Sequence, residues 1–482
     1  MKVLHVSAEC YPAAKAGGLG DVVGALPKYL NGMDWPSAVV MPKYRTPWVK
    51  ARVFEPFFTG VYAMHGDFVP FSIEVATDAD LGYPLYMVNI TGQFDRPGIY
   101  GDSQSGWYTD NETRFIHFQL AVLAWIQAME DPPGVVHCHD YHAGLIPFLL
   151  KHAPAYQDLQ ELPTVFTIHN GEYHGRFPWP VASILPDFPV TKRGLLEWDG
   201  YVNPLASAIK CAWRVTTVSE QYLAELAEDS NGLESLFQKE AAKSVGILNG
   251  IDDVVWDPKT DPLVHYHLDT DIEAFKKNNK EALREQFLFD ARLPVVTFIG
   301  RLVREKGADL LPDLIDRMLR SDADICFLVL GTGEQTVHQG LATLKEVYNG
   351  RFDVALEYNE RLAHQLYAGS DFLLMPSRVE PCGLNQMYAM RYGTVPIVRS
   401  VGGLQDTVID MLESPSEGRG FRFDTFTLEE AQHAIWRAYE YYQHPDRFQA
   451  LRSRIMDLDF SWNQAASNYT DIYKQFENQL SL

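Results

Sequence analysis

Pro294-Val295-Val296-Thr297-Phe298-Ile299-Gly300-Arg301-Leu302-Val303-Arg304-Glu305-Lys306-Gly307 is the stretch on which the reading of the fold turns. Residues 294–300 form a short β-branched and aromatic run, which predicts a strand. Two cations, Arg301 and Lys306, sit at its carboxyl end, and residues 308–319 then read as a helix. The alternation continues with strands over 325–330, 372–375 and 395–398 and helices over 362–368 and 384–392. The first half shows the same rhythm. Strands are expected over 3–7, 135–138, 164–168 and 215–218, with helices over 21–30 and 144–151. Repeated βα units predict parallel sheets covered on both faces, hence an α/β chain of two doubly wound, Rossmann-like domains. The polar stretch 252–290, with Pro258 and Pro262, reads as the region between them. Ligands of such sheets bind beyond the carboxyl ends of the strands, so two domains facing each other predict one cleft.

The bulk numbers set the class. A chain of 482 residues is too long for one ordinary core. Five cysteines without CxxC spacing predict neither a disulfide framework nor zinc, and fit a reducing cytoplasm. No apolar run is long enough to span a bilayer, and the strand-like start Met1-Lys2-Val3-Leu4-His5-Val6-Ser7 has no signal-peptide pattern. A net charge of −22 argues against nucleic acid and acidic membrane as partners, but not against a neutral polysaccharide. An anionic small substrate would need a local cluster of cations working against that field.

Five loops at strand ends supply candidates. Lys15-Ala16-Gly17-Gly18-Leu19-Gly20-Asp21 is a glycine-rich turn before a helix, suited to close backbone approach by an anion and equally readable as a plain flexible turn. Gly300–Gly307 offers Arg301 and Lys306, which could neutralise a diphosphate leaving group; Glu305 could equally pair them as a solvated loop. Pro376-Ser377-Arg378-Val379-Glu380-Pro381-Cys382-Gly383-Leu384 offers Glu380 to sugar hydroxyls and a helix start at Gly383 and Leu384. His137-Cys138-His139-Asp140-Tyr141-His142 and Thr167-Ile168-His169-Asn170-Gly171 put polar groups at two strand ends without compelling a metal. Ser400-Val401-Gly402-Gly403-Leu404-Gln405-Asp406-Thr407 is a further glycine-rich turn that could cradle phosphate. Together they point to a nucleotide-linked substrate held without a standard P-loop.

At this density of motifs the chain resembles the bacterial and plant glycogen/starch synthase family over essentially its whole length. HVSAE from His5, KAGGLGD from Lys15, YTDNETRF from Tyr108, HCHDYHAG from His137, HNGEYHG from His169, GILNGID from Gly246, GRLVREKG from Gly300, AGSDFLLMPSRVEPCGL from Ala368 and GGLQDTV from Gly402 occur in the family's order. The resemblance implies the glycosyltransferase-B architecture. It implies an acceptor-side domain over residues 1–251, a nucleotide-sugar domain over 252–458, and a C-terminal helix over 459–482 returning to the first. It implies retaining, metal-independent, cofactor-free transfer of glucose from ADP-glucose or UDP-glucose to the 4-hydroxyl of an α-1,4-glucan such as glycogen. Residue by residue, Lys15, Gly17 and Gly18 match the donor-phosphate loop, Arg301 and Lys306 the cations on the diphosphate, and Glu380 the carboxylate facing the donor glucose. Asn249, Tyr367, Cys382, Gly383, Leu384 and Thr407 match further donor-side positions. Glu9, Asp21, Asp140 and Asn170 match the acceptor side. His169 matches the residue that supports an oxocarbenium-like state.

The chain departs from the family pattern at Val379, where an aromatic is usual, at Val401, where Thr is usual, and over Gly171-Glu172-Tyr173-His174. The first two bear on the donor loops, the third on the acceptor side. Another enzyme of the same architecture, or a non-catalytic protein binding glucan or nucleotide sugar, remains open at this level.

Overall fold

The computed structural model describes residues 1–64, 66–102 and 106–480. The chain divides into two compact units. Unit 1 takes Met1–Val218, Leu223–Asn249 and the C-terminal stretch from Trp462; unit 2 takes Ser219–Tyr222 and Gly250–Ser461. The final two residues of the helix expected over 459–482 lie outside the described residues.

Unit 1 is built on a nine-stranded sheet. Its strands are β1 (Val3–Val6), β2 (Ser37–Pro42), β3 (Phe54–Met64), β4 (Asp67–Ala76), β5 (Leu85–Asn89), β6 (Val135–His139), β7 (Thr164–Ile168), β8 (Arg214–Thr217) and β9 (Ser244–Gly246). The order is β9-β8-β7-β6-β1-β2-β5-β4-β3. The central strands are parallel and buried throughout, as their unbroken apolar runs predict. The expectation of a purely parallel sheet fails at one edge, where β3 pairs with β4 and β4 with β5 antiparallel. Gly66, at φ 82°, turns the chain between β3 and β4, and so short a connection can join only antiparallel strands.

The helix Gly18–Asn31 packs Val22, Leu26 and Leu30 against Val3, and the C-terminal helix Trp462–Leu480 closes the same cluster. Trp462, Ala466, Tyr469, Tyr473 and Phe476 recur at three- and four-residue steps, so one helical stripe meets the unit 1 core.

Unit 2 holds a six-stranded parallel sheet of β10 (Val295–Ile299), β11 (Cys326–Leu330), β12 (Phe352–Ala355), β13 (Phe372–Met375), β14 (Val395–Arg399) and β15 (Phe421–Phe423). The order is β12-β11-β10-β13-β14-β15. The stretch 252–290, expected to run between domains, belongs to this unit instead. Asp271 caps its helix Ile272–Ala282 by accepting from the Ala274 N–H at 3.0 Å. The helix buries Phe275, Lys276, Asn279 and Lys280. Lys280 and Arg452 converge on the buried Asp371 at 2.6 and 2.5 Å, which offsets the cost of its charge and takes its carboxyl down to about 2 against the opposing push of burial. The polarity that suggests a linker is therefore buried ion pairing.

Strand order reverses between β1 and β6 in unit 1 and between β10 and β13 in unit 2. Doubly wound sheets open a crevice at such points, beyond the carboxyl ends of the strands. No helix among the described residues is long and apolar enough to cross a membrane.

Candidate active site

In unit 1 the loop after β1 is organised by Glu9. Its buried carboxylate accepts from the backbone N–H groups of Ala16 at 2.6 Å and Gly17 at 3.0 Å, and from the Tyr100 hydroxyl at 2.7 Å. Burial raises its pKa while these donors oppose the shift. Glu9 thus holds the turn, and the Gly17 N–H is already occupied. Lys15 pairs with Asp21 in the first helical turn at 2.7 Å. A methyl group built on Gly17 or Gly18 would meet nothing within 4 Å, so chain packing does not require glycine there. Glycine at such positions leaves room for a ligand to approach the backbone.

Across the switch point, Asp140 follows β6 with φ 56° and ψ 178°, a combination that costs energy for a residue with a side chain. Its Oδ1 accepts from the His169 N–H at 2.7 Å, tying the end of β6 to the end of β7. Burial pushes the Asp140 carboxyl up to about 7. The half-buried Asn170 turns its side chain onto its own loop, accepting from the Glu172 N–H at 2.9 Å. Asn249, at the end of unit 1's central segment, is buried with its Oδ1 unpartnered. Beside Asp140 and Asn170 lies a cavity of about 530 Å³ lined in part by Trp107, Glu112, Tyr141, Glu172, Tyr173 and Arg176. Glu172, Tyr173 and His174, within the stretch that departs from the family pattern, therefore line a groove of aromatic faces and polar groups, a surface suited to sugar rings.

Behind these loops His5, His137 and His139 bring their ring nitrogens within 4.8 Å of one another. Every ring nitrogen of the three except His5 Nε2 is hydrogen-bonded: His5 to His139, His139 to His169, and His137 to Tyr473 and Thr167. A cation here would have to break those bonds, so the cluster is a hydrogen-bonded core rather than an open ligand set.

In unit 2 the two loops flanking the switch point meet. Gly300, at φ 153°, leads out of β10 into Arg301, which is exposed and 3.5 Å from Glu305. Lys306 Nζ donates to Glu380 Oε1 at 2.6 Å, and Ser377 Oγ donates to Glu380 Oε2 at 2.8 Å. Glu380 is 6% exposed, so one buried carboxylate is paired with one cation while Arg301 stays at the surface. The turn is possible because Gly307 sits at φ 69° with its α-carbon against the Pro376 carbonyl, where a methyl group would lie 2.0 Å from that oxygen. Asn385 Nδ2 donates to the Ile299 carbonyl at 2.8 Å, fixing the start of the helix Asn385–Arg391 to the end of β10. Gly383 and Leu384 precede that helix, half-buried, and Cys382 is buried with its carbonyl accepting from Gln386.

Three expectations are revised here. The turn at Gly402 and Gly403 packs backbone on backbone: the Gly403 N–H donates to the Glu380 carbonyl at 3.1 Å, and a methyl group there would lie 1.9 Å from the Cys382 carbonyl. This turn supports the Glu380 loop instead of cradling an anion with that N–H. Thr407 is fully buried and donates to the Gly403 carbonyl at 2.6 Å, so it too acts from behind. Tyr367 is 2% exposed in the core beside Trp256. The aromatic at a strand's carboxyl end is instead Tyr358, 81% exposed beyond β12. Sequence reasoning also passed over Ser377 and Tyr100, whose partners lie on other segments. The one signal in the sequence is the place of Tyr358 in the short loop Leu356-Glu357-Tyr358-Asn359 between a strand and a helix.

Comparison with known proteins agrees with this arrangement. A family model described as the starch synthase catalytic domain matches residues 2–239, and one described as glycosyl transferases group 1 matches residues 279–450. The glycogen synthase of Flavobacterium johnsoniae is 46% identical over 98% of both chains, and that of Anoxybacillus flavithermus 36% over 98% of both. The catalytic domain of starch synthase IV from Arabidopsis thaliana, solved bound to ADP and acarbose, superimposes with a TM-score of 0.87 at 31% identity, covering 98% of this chain and 99% of that one. The sucrose-phosphate synthase of Thermosynechococcus elongatus shares the fold at a TM-score of 0.62 and 18% identity, covering 99% of each chain. Two doubly wound units with cations and a carboxylate at one switch point and buried imidazoles at the other, matched end to end by these relatives, place the chain in the glycogen/starch synthase family of glycosyltransferases, as a glucosyltransferase of glycosyltransferase-B fold.

Proposed function

We propose that this enzyme transfers glucose from ADP-glucose to the non-reducing 4-hydroxyl of an α-1,4-glucan, with retention of the α configuration. The observation that carries the reading is the meeting of Lys306 with Glu380 at the unit 2 switch point, with Arg301 exposed on the same loop. In a chain of net charge −22, two cations at that position suit a diphosphate. The Arabidopsis relative's bound ADP and acarbose support a nucleotide-linked donor and a glucan acceptor.

Chemically, the bond between the anomeric carbon and the diphosphate oxygen breaks as the acceptor 4-oxygen bonds to that carbon on the same face. The acceptor proton passes to the departing phosphate oxygen, so no side-chain base is needed. Arg301 and Lys306 stabilise the charge that grows on the leaving group. Glu380, held by Ser377, accepts from the donor sugar's hydroxyls, and Lys15 with the open Gly17–Gly18 turn meets phosphate. Tyr358 offers a face to the base. The groove beside Asp140 and Asn170 takes the glucan. All five cysteines are free buried thiols, which fits work in the reducing cytoplasm.

The test is glucose transfer to glycogen from ADP-glucose and from UDP-glucose, in EDTA, with released nucleoside diphosphate quantified. Incorporation that is faster from ADP-glucose supports the reading. Preference for UDP-glucose overturns the donor assignment. Absence of transfer from either, with glycogen binding retained, overturns the catalytic one.

A further inference from the structure

His5 in β1, His139 at the end of β6 and His169 just past β7 stand on three neighbouring strands. His5 Nδ1 lies 3.0 Å from His139 Nε2, and His139 Nδ1 lies 3.0 Å from His169 Nε2. The three rings form one hydrogen-bonded file running from the strand core to the candidate site.

The rings are fully buried apart from a small exposed part of His169, 8%. Burial takes His5 and His169 down to about 3 and holds His139 well below its usual range, so all three are neutral imidazoles at neutral pH. A neutral imidazole has one N–H and one lone pair. His139 uses both nitrogens in the file, so it must donate through one and accept through the other. Both bonds therefore point the same way along the file.

Only two arrangements satisfy that condition. If the donors point from His169 towards His5, the last proton lies on His5 Nε2, which is buried and has no partner. If they point from His5 towards His169, His5 Nε2 is merely a lone pair without a partner, and His169 carries its proton on Nδ1. Orphaned buried N–H groups are rarer than under-satisfied acceptors, which selects the second arrangement. The neighbouring His137 does not disturb it, because both its nitrogens are taken by Tyr473 and Thr167. Asp140 is bonded to the His169 backbone N–H.

We infer that the buried pair His5 and His139 acts as a positioning device that sets the tautomer of His169, so that this ring presents an Nδ1–H donor to the substrate and cannot serve as a base. The inference deepens the proposed reaction and rests on His169 facing the sugar. A donor at that point satisfies a hydroxyl oxygen of the donor glucose, and it leaves the acceptor proton to the departing phosphate.

The experiment is nitrogen-15 NMR of the full-length protein labelled at histidine, with His169 identified by comparison with His169→Gln. The expected result is a pyrrole-type Nδ1 and a pyridine-type Nε2 for His169. The reverse pattern overturns the inference whatever the enzyme's activity, and so separates it from the proposed reaction. His5→Asp, whose carboxylate only accepts, should turn the file round and convert His169 Nδ1 to pyridine type, with a fall in turnover. A folded His5→Asp protein that keeps Nδ1–H on His169 would show the coupling to be absent. If that variant does not fold, the wild-type spectrum alone still decides the tautomer.

Discussion

At the switch point of unit 1 the strand ends carry uncharged imidazoles, a strained aspartate and a glutamate spent on backbone N–H groups. At that of unit 2 they carry a lysine–glutamate ion pair and an exposed arginine. Both sheets reverse strand order at this point between parallel strands, so the difference there comes from the side chains that the strand ends carry. It teaches what each edge can bind. A neutral polyhydroxyl chain is held by fixed dipoles and aromatic faces, whereas a diphosphate requires formal positive charge that survives in a strongly acidic protein.

The largest effect should come from breaking the ionic scaffold of unit 2. Asp371→Ala strands the buried Lys280 and Arg452 and should cost about 3–5 kcal/mol in urea denaturation. A loss under about 1 kcal/mol would show that the triad is not what holds the helix Ile272–Ala282 to β13.

Next is the chemistry of the unit 2 edge. Lys306→Ala should lower kcat by about 10²–10³-fold by removing transition-state stabilisation, and should lower the thermal midpoint as well, because the buried Glu380 carboxylate loses its cation; kcat is therefore measured well below that midpoint. Unchanged turnover would move the leaving-group role elsewhere.

The imidazoles of unit 1 predict a contrast in acid. Folded-state pKa values of His5, His142 and His169 fall to about 3, and those of His137 and His139 well below the usual value. For these depressed groups the stability is present above about pH 6.5 and is lost as pH falls towards the folded values, by up to about 1.4 kcal/mol per pH unit for each histidine. Asp140 acts in the opposite sense. Its raised pKa gives stability that is present below about pH 4 and lost as pH rises through about 7. Glu9, whose carboxyl pKa burial also raises, acts with Asp140; the five histidines outnumber these two carboxyls, so hydrogen exchange between about pH 6.5 and 4 should show unit 1 opening before unit 2. Simultaneous loss of protection in both units would break the comparison.

The smallest effect sharpens the role of a buried supporting group. Thr407→Val should cost about 1 kcal/mol by removing its bonds to Gly403 and Gln386, and should leave KM for the nucleotide donor within a few-fold. A large rise in KM at unchanged stability would return Thr407 to direct contact with the donor.

In unit 2 the four strands β10, β11, β13 and β14 were legible in the sequence as short unbroken apolar runs between amphipathic helices, whereas β12 and β15 and the helices Gln335–Val347, Leu428–Tyr442 and Pro445–Met456 were not read from it. In unit 1 the helix Asn111–Gln127 escaped notice because it is buried on nearly every side and so has no polar face to mark a period. The antiparallel edge escaped too, since β3 leaves Phe57 and Val61 exposed and blurs the alternation that a half-buried strand should show. At the site, Arg301, Lys306, Glu380, Asp140 and His169 were legible as charged or polar residues at strand ends. Tyr367 was not distinguishable from Tyr358, because sequence spacing does not tell a core ring from an exposed one.

What the sequence by itself determined is the alternation of strands and helices and the identity of the residues delivered to each strand's carboxyl end, for both follow from local periodicity. Only the tertiary structure decided that Lys306 meets Glu380, that His5 reaches His169 through His139, and that Gly403 serves backbone packing while Gly17 and Gly18 leave open space. The physical reason is that these are contacts between distant segments, and burial, which sets both protonation and the room around a glycine, exists only once those segments have packed.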